Sequence, residues 1–429
     1  MKEYGLFWNE ERNPENIVVE TENKVPMVKS IDTTEGVDGT SHILINSDNY
    51  PALKVLNQTH ANKVDIICID PPYNTGNEFT YNDKRVDTED SFRHSKWLNF
   101  MDKRIRLAHN LLKEDGIFYS FIGRDELPNL ILLCDKIFTE KNRLSFISRI
   151  TKRTTLNTKF FNDSCDYVLV YAKNKLAIDI DFTQDSEVKY NLKDEFGSYR
   201  RFSYDLTFRG TNDKNKYVIK APDGTPLTSE NGWSVSEEKY REQLSKNLVE
   251  FVEENGNWKV YKKLYETGTK PVSNFLTSED FYNRRGTAEL KDIFGGDKVF
   301  DYPKPTALIE YLIDITNKPN DIIVLDFFAG SGSTAHAVIN MNEKDLGTRQ
   351  SISVALNDPD DDIDICSEVT YERLKKVVCN IKEKYKGQLD GVGAGNPTLK
   401  YVEIELREDA GEIQRELIKE ENTIILNGN

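Results

Sequence analysis

The sequence predicts an α/β protein whose parallel sheet is interrupted by an inserted α+β domain. Short apolar runs alternate with amphipathic helical patterns over residues 41–174 and again over 299–390, and this alternation is typical of a parallel sheet covered by helices. Between these stretches, residues 175–298 are polar and rich in turn residues. A chain of 429 residues is long enough for two or three domains. We therefore expect one sheet assembled from two halves, with a separate domain between them.

The first half begins with residues 1–40, which are polar and irregular and predict an extended N-terminal arm. After the arm, strands are predicted at 42–45, 64–69, 117–122, 144–150 and 167–171, and helices at 50–57, 95–112 and 126–138. Trp97, Met101 and Ile105 recur at helical spacing and indicate a buried face. The polar stretch 74–94 is long for a connection in a compact domain, and such loops are often functional.

The second half returns to the same alternation. Helices are predicted at 306–316, 333–341 and 368–386, and strands at 322–325 and 351–356. Residues 391–429 predict a last strand at 398–406 followed by a charged tail.

Composition narrows the class of protein. Apolar residues make up 38% of the chain and charged residues 30%, as in ordinary globular proteins. No apolar run approaches the ~20 residues of a membrane span, and the N-terminus lacks the layout of a signal peptide. The five cysteines are scattered without a CxxC pair, which favours a reducing cytoplasm and predicts neither disulfides nor a metal site. The net charge of −15 argues only weakly against a nucleic-acid partner, because a binding groove needs positive charge only locally.

The first chemical motif is Asp70-Pro71-Pro72-Tyr73, which follows the β-branched run 64–69. Proline cannot donate to a sheet ladder, so the chain leaves the sheet at this point. An acid, a rigid turn and an aromatic ring thus stand at the carboxyl end of a strand, the edge at which open α/β sheets bind ligands. Taken alone, the motif also fits an ordinary turn.

The second motif is the glycine turn Asp326-Phe327-Phe328-Ala329-Gly330-Ser331-Gly332-Ser333, which joins a predicted strand to a predicted helix. Its glycines allow the backbone to approach a ligand, and the helix N-terminus offers free N–H groups. The phosphate-binding pattern GxxxxGK[ST] does not occur in the sequence, which argues against an ATPase. Asn357 and Asp358 follow the next strand, and either of them could bind a ribose diol there.

Together the two motifs resemble those of the amino-methyltransferases that modify exocyclic amines of DNA bases. In that family D-P-P-Y is catalytic and F-x-G-x-G binds S-adenosylmethionine. The catalytic motif comes first here, with an insert before the cofactor motif, and this order resembles the β class. The arm and the long insert are most similar to modification subunits of type III restriction–modification systems. Further similar blocks follow in family order: Asp48-Asn49, Trp97-Leu98, Asp115-Gly116-Ile117-Phe118, Asp166 to Asn174, and Tyr302-Pro303-Lys304-Pro305.

The resemblance implies a Rossmann-like methyltransferase sheet with a target-recognition domain at 175–298. It also implies S-adenosyl-L-methionine as methyl donor, double-stranded DNA as substrate, adenine N6 as the methylated atom, a homodimer, and a separate restriction subunit as a partner. The catalytic residues that it implies are Asp70, Pro71, Pro72 and Tyr73. The cofactor-binding residues that it implies are Asp48, Lys304, Pro305, Asp326, Phe328, Gly330, Gly332, Ser333, Asn357 and Asp358.

The chemistry of the motif agrees with adenine methylation. The lone pair of an adenine amino group is delocalised into the ring, so the nitrogen is a poor nucleophile. The Asp70 carboxylate and the Pro71 carbonyl can accept its two hydrogens and aim the lone pair at the methyl group. Tyr73 can stack on a base that has left the duplex. Methylation at carbon 5 of cytosine would require a Pro-Cys nucleophile, which the sequence lacks.

Three alternatives remain open at this point. Methylation of cytosine N4 uses the same chemistry, although that class more often begins its motif with serine. Methylation of protein glutamine or RNA usually begins with asparagine. The chain could also be a catalytically idle DNA-binding subunit. Individual residues have structural explanations as well, since Asp48 could cap a helix, Pro305 could begin one, and Asp326 could simply end a strand.

Basic residues close to aromatic ones are the candidate DNA contacts. They are Arg149, Lys152 and Arg153 after a predicted strand, and Arg200, Arg201 and Arg209 in the insert. Such mixtures suit phosphate contact and stacking on bases, although charged residues of this kind often form a solvated face.

Overall fold

The computed structural model describes residues 15–34, 41–76, 85–152, 164–179, 182–185, 190–205, 215–266, 269–357, 363–385, 397–409 and 411–427. The chain forms two compact units, one made of the residues up to Phe182 together with those from Ser273 onward, the other of Thr183–Val272. The inserted unit is therefore shorter than the predicted 175–298, because residues from Ser273 onward rejoin the first unit.

The chain before the insert contributes α1 (Asn16–Asn23), β1 (Lys24–Thr34), β2 (Ser41–Asn46), α2 (Asn49–Thr59), β3 (Val64–Ile69), α3 (Arg93–Leu111), β4 (Leu112–Ile122), α4 (Leu127–Phe138), β5 (Arg143–Ile150) and β6 (Cys165–Ala172). Every strand and helix predicted between residues 41 and 174 is confirmed. The expectation of an irregular arm is wrong for residues 16–34, because they form α1 and β1, and β1 pairs antiparallel with a strand near the end of the chain.

The inserted unit contains β7 (Thr183–Asp185), β8 (Leu192–Asp194), β9 (Gly197–Ser203), β10 (Ile219–Lys220), β11 (Pro226–Leu227), α5 (Glu237–Ser245), β12 (Val249–Glu254), β13 (Asn257–Tyr265) and β14 (Thr269–Pro271). Strands β12, β13, β9 and β8 form an antiparallel sheet in that order. Its buried core includes Tyr204, Trp233 and Tyr240. The combination of a helix with antiparallel strands agrees with the predicted α+β character.

The chain after the insert contributes β15 (Phe275–Leu276), α6 (Asn283–Ile293), α7 (Thr306–Asp314), β16 (Ile323–Asp326), α8 (Ser333–Asp345), β17 (Gln350–Ala355), α9 (Glu372–Lys384), β18 (Thr398–Glu408) and α10 (Glu412–Asn427). A π-helix, Ile365–Tyr371, leads into α9. The prediction of a charged tail is wrong, because α10 packs on the sheet. Its buried Asn422 accepts from the Val28 amide at 2.7 Å and donates to the Pro26 carbonyl at 3.0 Å.

The first unit is built on a ten-stranded sheet of order β1-β18-β2-β17-β16-β3-β4-β6-β5-β15. The sheet is mixed, because β1 and β6 run opposite to the strands beside them, whereas the other neighbouring pairs are parallel. The alternation of strands and helices predicted a fully parallel sheet. This prediction is wrong at β6, which lies between β4 and β5 and runs antiparallel to both. An antiparallel return of this kind needs no crossover helix.

Strand β3 lies inside the sheet between β16 and β4. All six of its residues are buried, which explains why its sequence is continuously apolar apart from Asp65 rather than alternating. On α3, Trp97, Met101 and Ile105 are fully buried. Within the ranges described above, no helix has the length and apolar character to cross a membrane. The same residues hold no cluster of three or more His, Cys, Asp or Glu side chains arranged for a metal ion.

Candidate active site

The two predicted motifs meet at one edge of the sheet. Strand β16 pairs in parallel with β3, with Val324 opposite Ile66 and Leu325 opposite Ile67. Asp326 and Asp70 therefore stand at the carboxyl ends of neighbouring strands, although an entire inserted unit separates them along the chain. Ligands of α/β proteins bind at this edge. The two motifs thus lie side by side at one edge of the sheet.

Side chains of two helical segments fix the turn after Asp70. Trp97 donates its indole N–H to the Pro72 carbonyl at 2.8 Å. Asn74 has a left-handed backbone with φ of 59°, and its Nδ2 donates to Glu126 Oε1 at 2.5 Å. Glu126 is fully buried and also bonds His94 Nδ1 at 2.6 Å. Buried polar groups are expected to be satisfied in this way, and here the bonds hold the proline turn in place.

Tyr73 is held at both ends. Its hydroxyl donates to Asp166 Oδ2 at 3.3 Å. Its ring lies against Gly123, where a Cβ would stand 2.9 Å from Tyr73 Cδ2, so no larger residue fits there without movement. Burial raises the pKa of the Tyr73 hydroxyl well above its usual range, and the charges of Asp70 and Asp166 act in the same direction. The hydroxyl therefore stays protonated and can donate to Asp166.

Arg149 is placed differently from the prediction. Its side chain is fully buried. Its Nε donates to Asp166 Oδ1 at 2.7 Å, and its Nη2 donates to Asp166 Oδ2. Nη1 donates to the Phe281 carbonyl at 2.9 Å. A guanidinium committed to a buried carboxylate is not available to a DNA phosphate, so we correct its assignment as a DNA contact. Arg149 instead fixes the acid that holds Tyr73.

The glycine turn encloses its own acid. Asp326 Oδ1 accepts from the Phe328 amide at 3.0 Å, and Oδ2 accepts from the Thr334 hydroxyl at 2.6 Å. Burial raises the pKa of Asp326 to about 7, and the nearby charge of Asp70 adds to the rise. Gly330 and Gly332 have φ of +47° and +77°, a region that favours glycine. The turn therefore needs both glycines and the acid for its shape.

A buried arginine also donates hydrogen bonds to the glycine turn. Arg373 of α9 is fully buried, and its Nη1 donates to the Ser331 carbonyl at 3.1 Å and to Ser333 Oγ at 2.9 Å. It also contacts His336 Nδ1 at 3.1 Å. Burial and the charge of Arg373 lower the pKa of His336 to about 3, so the imidazole is neutral. His336 therefore serves packing and hydrogen bonding.

Two cavities open where the motifs meet. The wider cavity, about 370 Å³, is lined by the chain that follows β2, β3 and β17 and by the glycine turn. The narrower one, about 80 Å³, lies between β3, the glycine turn and the segment before α7. Asp70, Phe328, Ala329 and Gly330 line both cavities. Asp70 thus stands at the junction of the two spaces.

A family model described as DNA methylase, for N6 and N4 enzymes, matches residues 64–387. This range includes both motifs, the insert between them and most of the chain. The chain belongs to the N6/N4 DNA methylase family. The family predicted from the motifs is confirmed, and this family uses S-adenosylmethionine as its methyl donor.

Curated relatives of this methylase include subunits of restriction–modification systems. The EcoPI Mod subunit of a type III enzyme, from Escherichia phage P1, is 33% identical over 380 residues, which is 73% of this chain and 57% of that protein. The type II methyltransferase M.KpnI of Klebsiella pneumoniae is 31% identical over 436 residues, covering 94% and 97%. This methylase thus spans under two thirds of the type III relative and nearly all of M.KpnI. A putative DNA modification methylase of Thermus thermophilus, solved with S-adenosyl-L-methionine, has a TM-score of 0.39 and 14% identity over 78% of this chain and 96% of that one.

The residues of the site fit S-adenosylmethionine. The wider cavity offers Asp48, Phe328 and Leu356 to a nucleoside, and the turn with its two glycines permits close approach of a ligand. Among the described residues that line either cavity, Lys304 is the only cation, and it lines the narrower cavity. Pro305 begins α7, in agreement with its structural explanation.

Two of the predicted cofactor ligands are engaged within the protein. Asp48 caps α2 by accepting from the Tyr50 amide at 2.7 Å, and it is also bonded by Arg104 at 3.2 Å. The side-chain oxygen of Asn357 accepts from the Cys366 and Ser367 amides at 2.7 and 3.1 Å. That oxygen caps the π-helix, and Asp358, the other residue predicted to bind the ribose, lies outside the described residues.

The remaining candidate DNA contacts are surface residues or lie outside the described ranges. Lys152 and Arg200 are exposed. Arg201 is bonded to Glu250 at 2.6 and 3.0 Å, which leaves it partly neutralised. Arg153 and Arg209 fall outside the described residues.

Sequence reasoning missed several residues that support the site. These are Gly123, Glu126, Asp166 and Arg104. Asp166 opens a block that resembled the family, so a signal existed for it. Glu126 and Arg104 carried no signal, because an ordinary helix contains similar charged residues.

Proposed function

We propose that this methylase transfers a methyl group from S-adenosylmethionine to N6 of an adenine in double-stranded DNA. The observation that carries the proposal is the adjacency of Asp70 and the glycine turn on neighbouring strands. A donor held at the turn and a base held at Asp70 would meet at the junction of the two cavities. Orientation of this kind supplies much of the rate enhancement of two-substrate reactions.

The residues of this chain act on the acceptor base. Asp70 Oδ1 and the Pro71 carbonyl would accept the two amino hydrogens, which favours a pyramidal nitrogen. Tyr73, fixed by Asp166 and Gly123, would stack on the flipped base. When bound, S-adenosylmethionine supplies a methyl group on a sulfonium, which becomes a neutral thioether as the N–C bond forms. The methylated nitrogen then releases one proton.

Adenine is favoured over cytosine by the first residue of the motif. Asp70 stands where N4 enzymes more often have serine, and the type III relatives carry the name of modification subunits. The family itself contains both N6 and N4 enzymes. Methylation of cytosine N4 therefore remains the second candidate.

The test uses labelled S-adenosylmethionine and genomic DNA, followed by digestion to nucleosides. We expect the label in N6-methyl-2′-deoxyadenosine. Label in N4-methylcytosine alone would replace adenine by cytosine as the substrate, and unlabelled DNA would overturn DNA methylation altogether. Methylome sequencing of a host that expresses the chain would then give the recognition site.

We further propose that Thr183–Val272 recognises the target sequence and that this methylase is the modification subunit of a type III system. A homodimer and a separate restriction subunit would be its partners, and the cytoplasm its location. The support is the insert between the two motifs and the names of relatives. Light scattering of the purified chain, alone and with a candidate restriction subunit, would test both assemblies.

A further inference from the structure

Lys304, the lysine that precedes α7, lies beside the catalytic motif. The ammonium group of Lys304 forms an ion pair with Asp70 Oδ2, and it lies 5.2 Å from the centres of both the Tyr73 and the Phe121 rings. Lys304 as a whole is 9% exposed. An ammonium so enclosed has exchanged water for one carboxylate and two aromatic faces, which is favourable only when the geometry is well fixed.

The neighbouring helices fix the chain around Lys304. Gly286 of α6 touches this segment so closely that a Cβ there would stand 2.1 Å from the Pro303 carbonyl oxygen. Glu289, one turn further along α6, accepts from the Thr306 amide at 3.1 Å. Pro305 occupies the N-cap position of α7. Lys304 is therefore anchored on both sides by backbone contacts.

The two oxygens of Asp70 are in different situations. Oδ2 is occupied by Lys304. Oδ1 is shielded from solvent and has no hydrogen-bond partner among the described residues. A buried carboxylate oxygen without a partner is costly, so this atom is prepared to accept from a ligand. An amino N–H of a base is a donor of the required kind.

We propose that Lys304 is a positioning residue for the transfer reaction, which holds Asp70 through Oδ2 so that Oδ1 faces the target amino group. This inference rests on the proposed function and changes the predicted role of Lys304, which sequence reasoning assigned to the cofactor. Without the lysine, the carboxylate would be free to rotate and would lack its counter-ion.

The charges around Asp70 give a second reason for the lysine. Asp70 is surrounded by Lys304, Cys68, Tyr73 and Asp326, and the influence of Arg149 also reaches it. Asp70 raises the pKa of Asp326, whereas Lys304 lowers it. Lys304 is thus the cation that allows two acids to end neighbouring strands. Its loss would leave the two carboxylates beside each other without that cation, and the pKa of Asp326 would rise further.

The experiment compares Lys304→Met with Lys318→Met, and with Lys304→Arg as the conservative variant. Lys318 is a matched control, because its side chain is 7% exposed and pairs with Asp115. Asp115 lies near the amino end of β4 and lines neither cavity. We expect Lys304→Met to lower kcat about 100-fold, as misplacement of a reacting group does, with Lys304→Arg retaining part of the rate and Lys318→Met unchanged.

Two further measurements separate this role from the alternatives. The dissociation constant for S-adenosyl-L-homocysteine should change little in Lys304→Met, measured by calorimetry. A large loss of that affinity with a normal kcat at saturating cofactor would overturn the proposal in favour of a cofactor role. In an Asp70→Asn background, Lys304→Met should cost almost nothing more. An unchanged 100-fold loss there would also overturn it, and wild-type protein without activity would instead contradict the proposed function.

Discussion

Asp70 and Asp326 end neighbouring strands of one sheet, yet their environments are opposite. Both oxygens of Asp326 accept from its own turn, from the Phe328 amide and the Thr334 hydroxyl. Asp70 bonds a lysine from a distant segment, and its other oxygen has no hydrogen-bond partner among the described residues. An acid satisfied locally maintains a shape, whereas an acid left partly unsatisfied is available to a substrate. From this comparison we propose that Asp326 maintains the shape of its turn and that Asp70 acts on the substrate.

The largest expected effect comes from Asp70→Asn. The amide retains size and one oxygen but loses the charge and gains a donor, so transition-state hydrogen bonding should fall. We expect kcat to drop about 100- to 1000-fold, with DNA and S-adenosyl-L-homocysteine binding retained, measured by single-turnover methylation and by calorimetry. A wild-type kcat in this variant would show that Asp70 has no role in the transfer reaction, and it would contradict the contrast drawn between Asp70 and Asp326.

A smaller effect is expected from Gly123→Ala, which tests the packing of the catalytic turn. The added Cβ would stand 2.9 Å from Tyr73 Cδ2, so the ring must shift. Because the ring is to stack on the base, we expect kcat to fall about tenfold, less than the ~100-fold cost of a full misplacement. The melting temperature should change little. Asp326→Asn should not show the tenfold loss of kcat expected for Gly123→Ala. Equal losses of kcat in the two variants would contradict the different roles proposed for Asp326 and Asp70.

The last effect concerns the stability of Asp326→Asn, and it depends on pH. Burial raises the pKa of Asp326 to about 7 in the folded protein, against about 3.9 for an unperturbed aspartate. The folded state therefore binds the proton more tightly, so this residue costs stability progressively as pH rises from about 4 to about 7. Melting curves of both proteins over that range should show the wild type losing stability relative to the variant. A constant difference would mean that Asp326 is ionised throughout.

The sequence was informative wherever local pattern decides structure. The run 64–69, ended by two prolines, predicted β3 and the edge at which Asp70 lies. The two glycines predicted the turn before α8, because few other residues tolerate positive φ. The shared site could be predicted as well, since parallel strands present their carboxyl ends at one edge.

Contacts between segments distant in sequence could not be predicted from local sequence patterns. The direction of β6 depends on which gap in the sheet it fills, and no pattern in 165–172 encodes that. Arg149 has the sequence features of a DNA contact, and only its burial against Asp166 shows otherwise. Helix α10 was mistaken for a charged tail, because most of its surface is indeed polar and only a few positions, such as Ile418 and Asn422, are buried.

The position of β3 in the sheet also has a consequence for biosynthesis. One of its edges can pair with β4 soon after both leave the ribosome, but the other waits for β16, which follows the whole insert. Until then β3 presents an open, apolar edge of the kind that promotes aggregation. We therefore expect chains that terminate before Ile323 to aggregate rather than to accumulate as folded, inactive fragments, and we expect nascent chains to depend on chaperones at this stage.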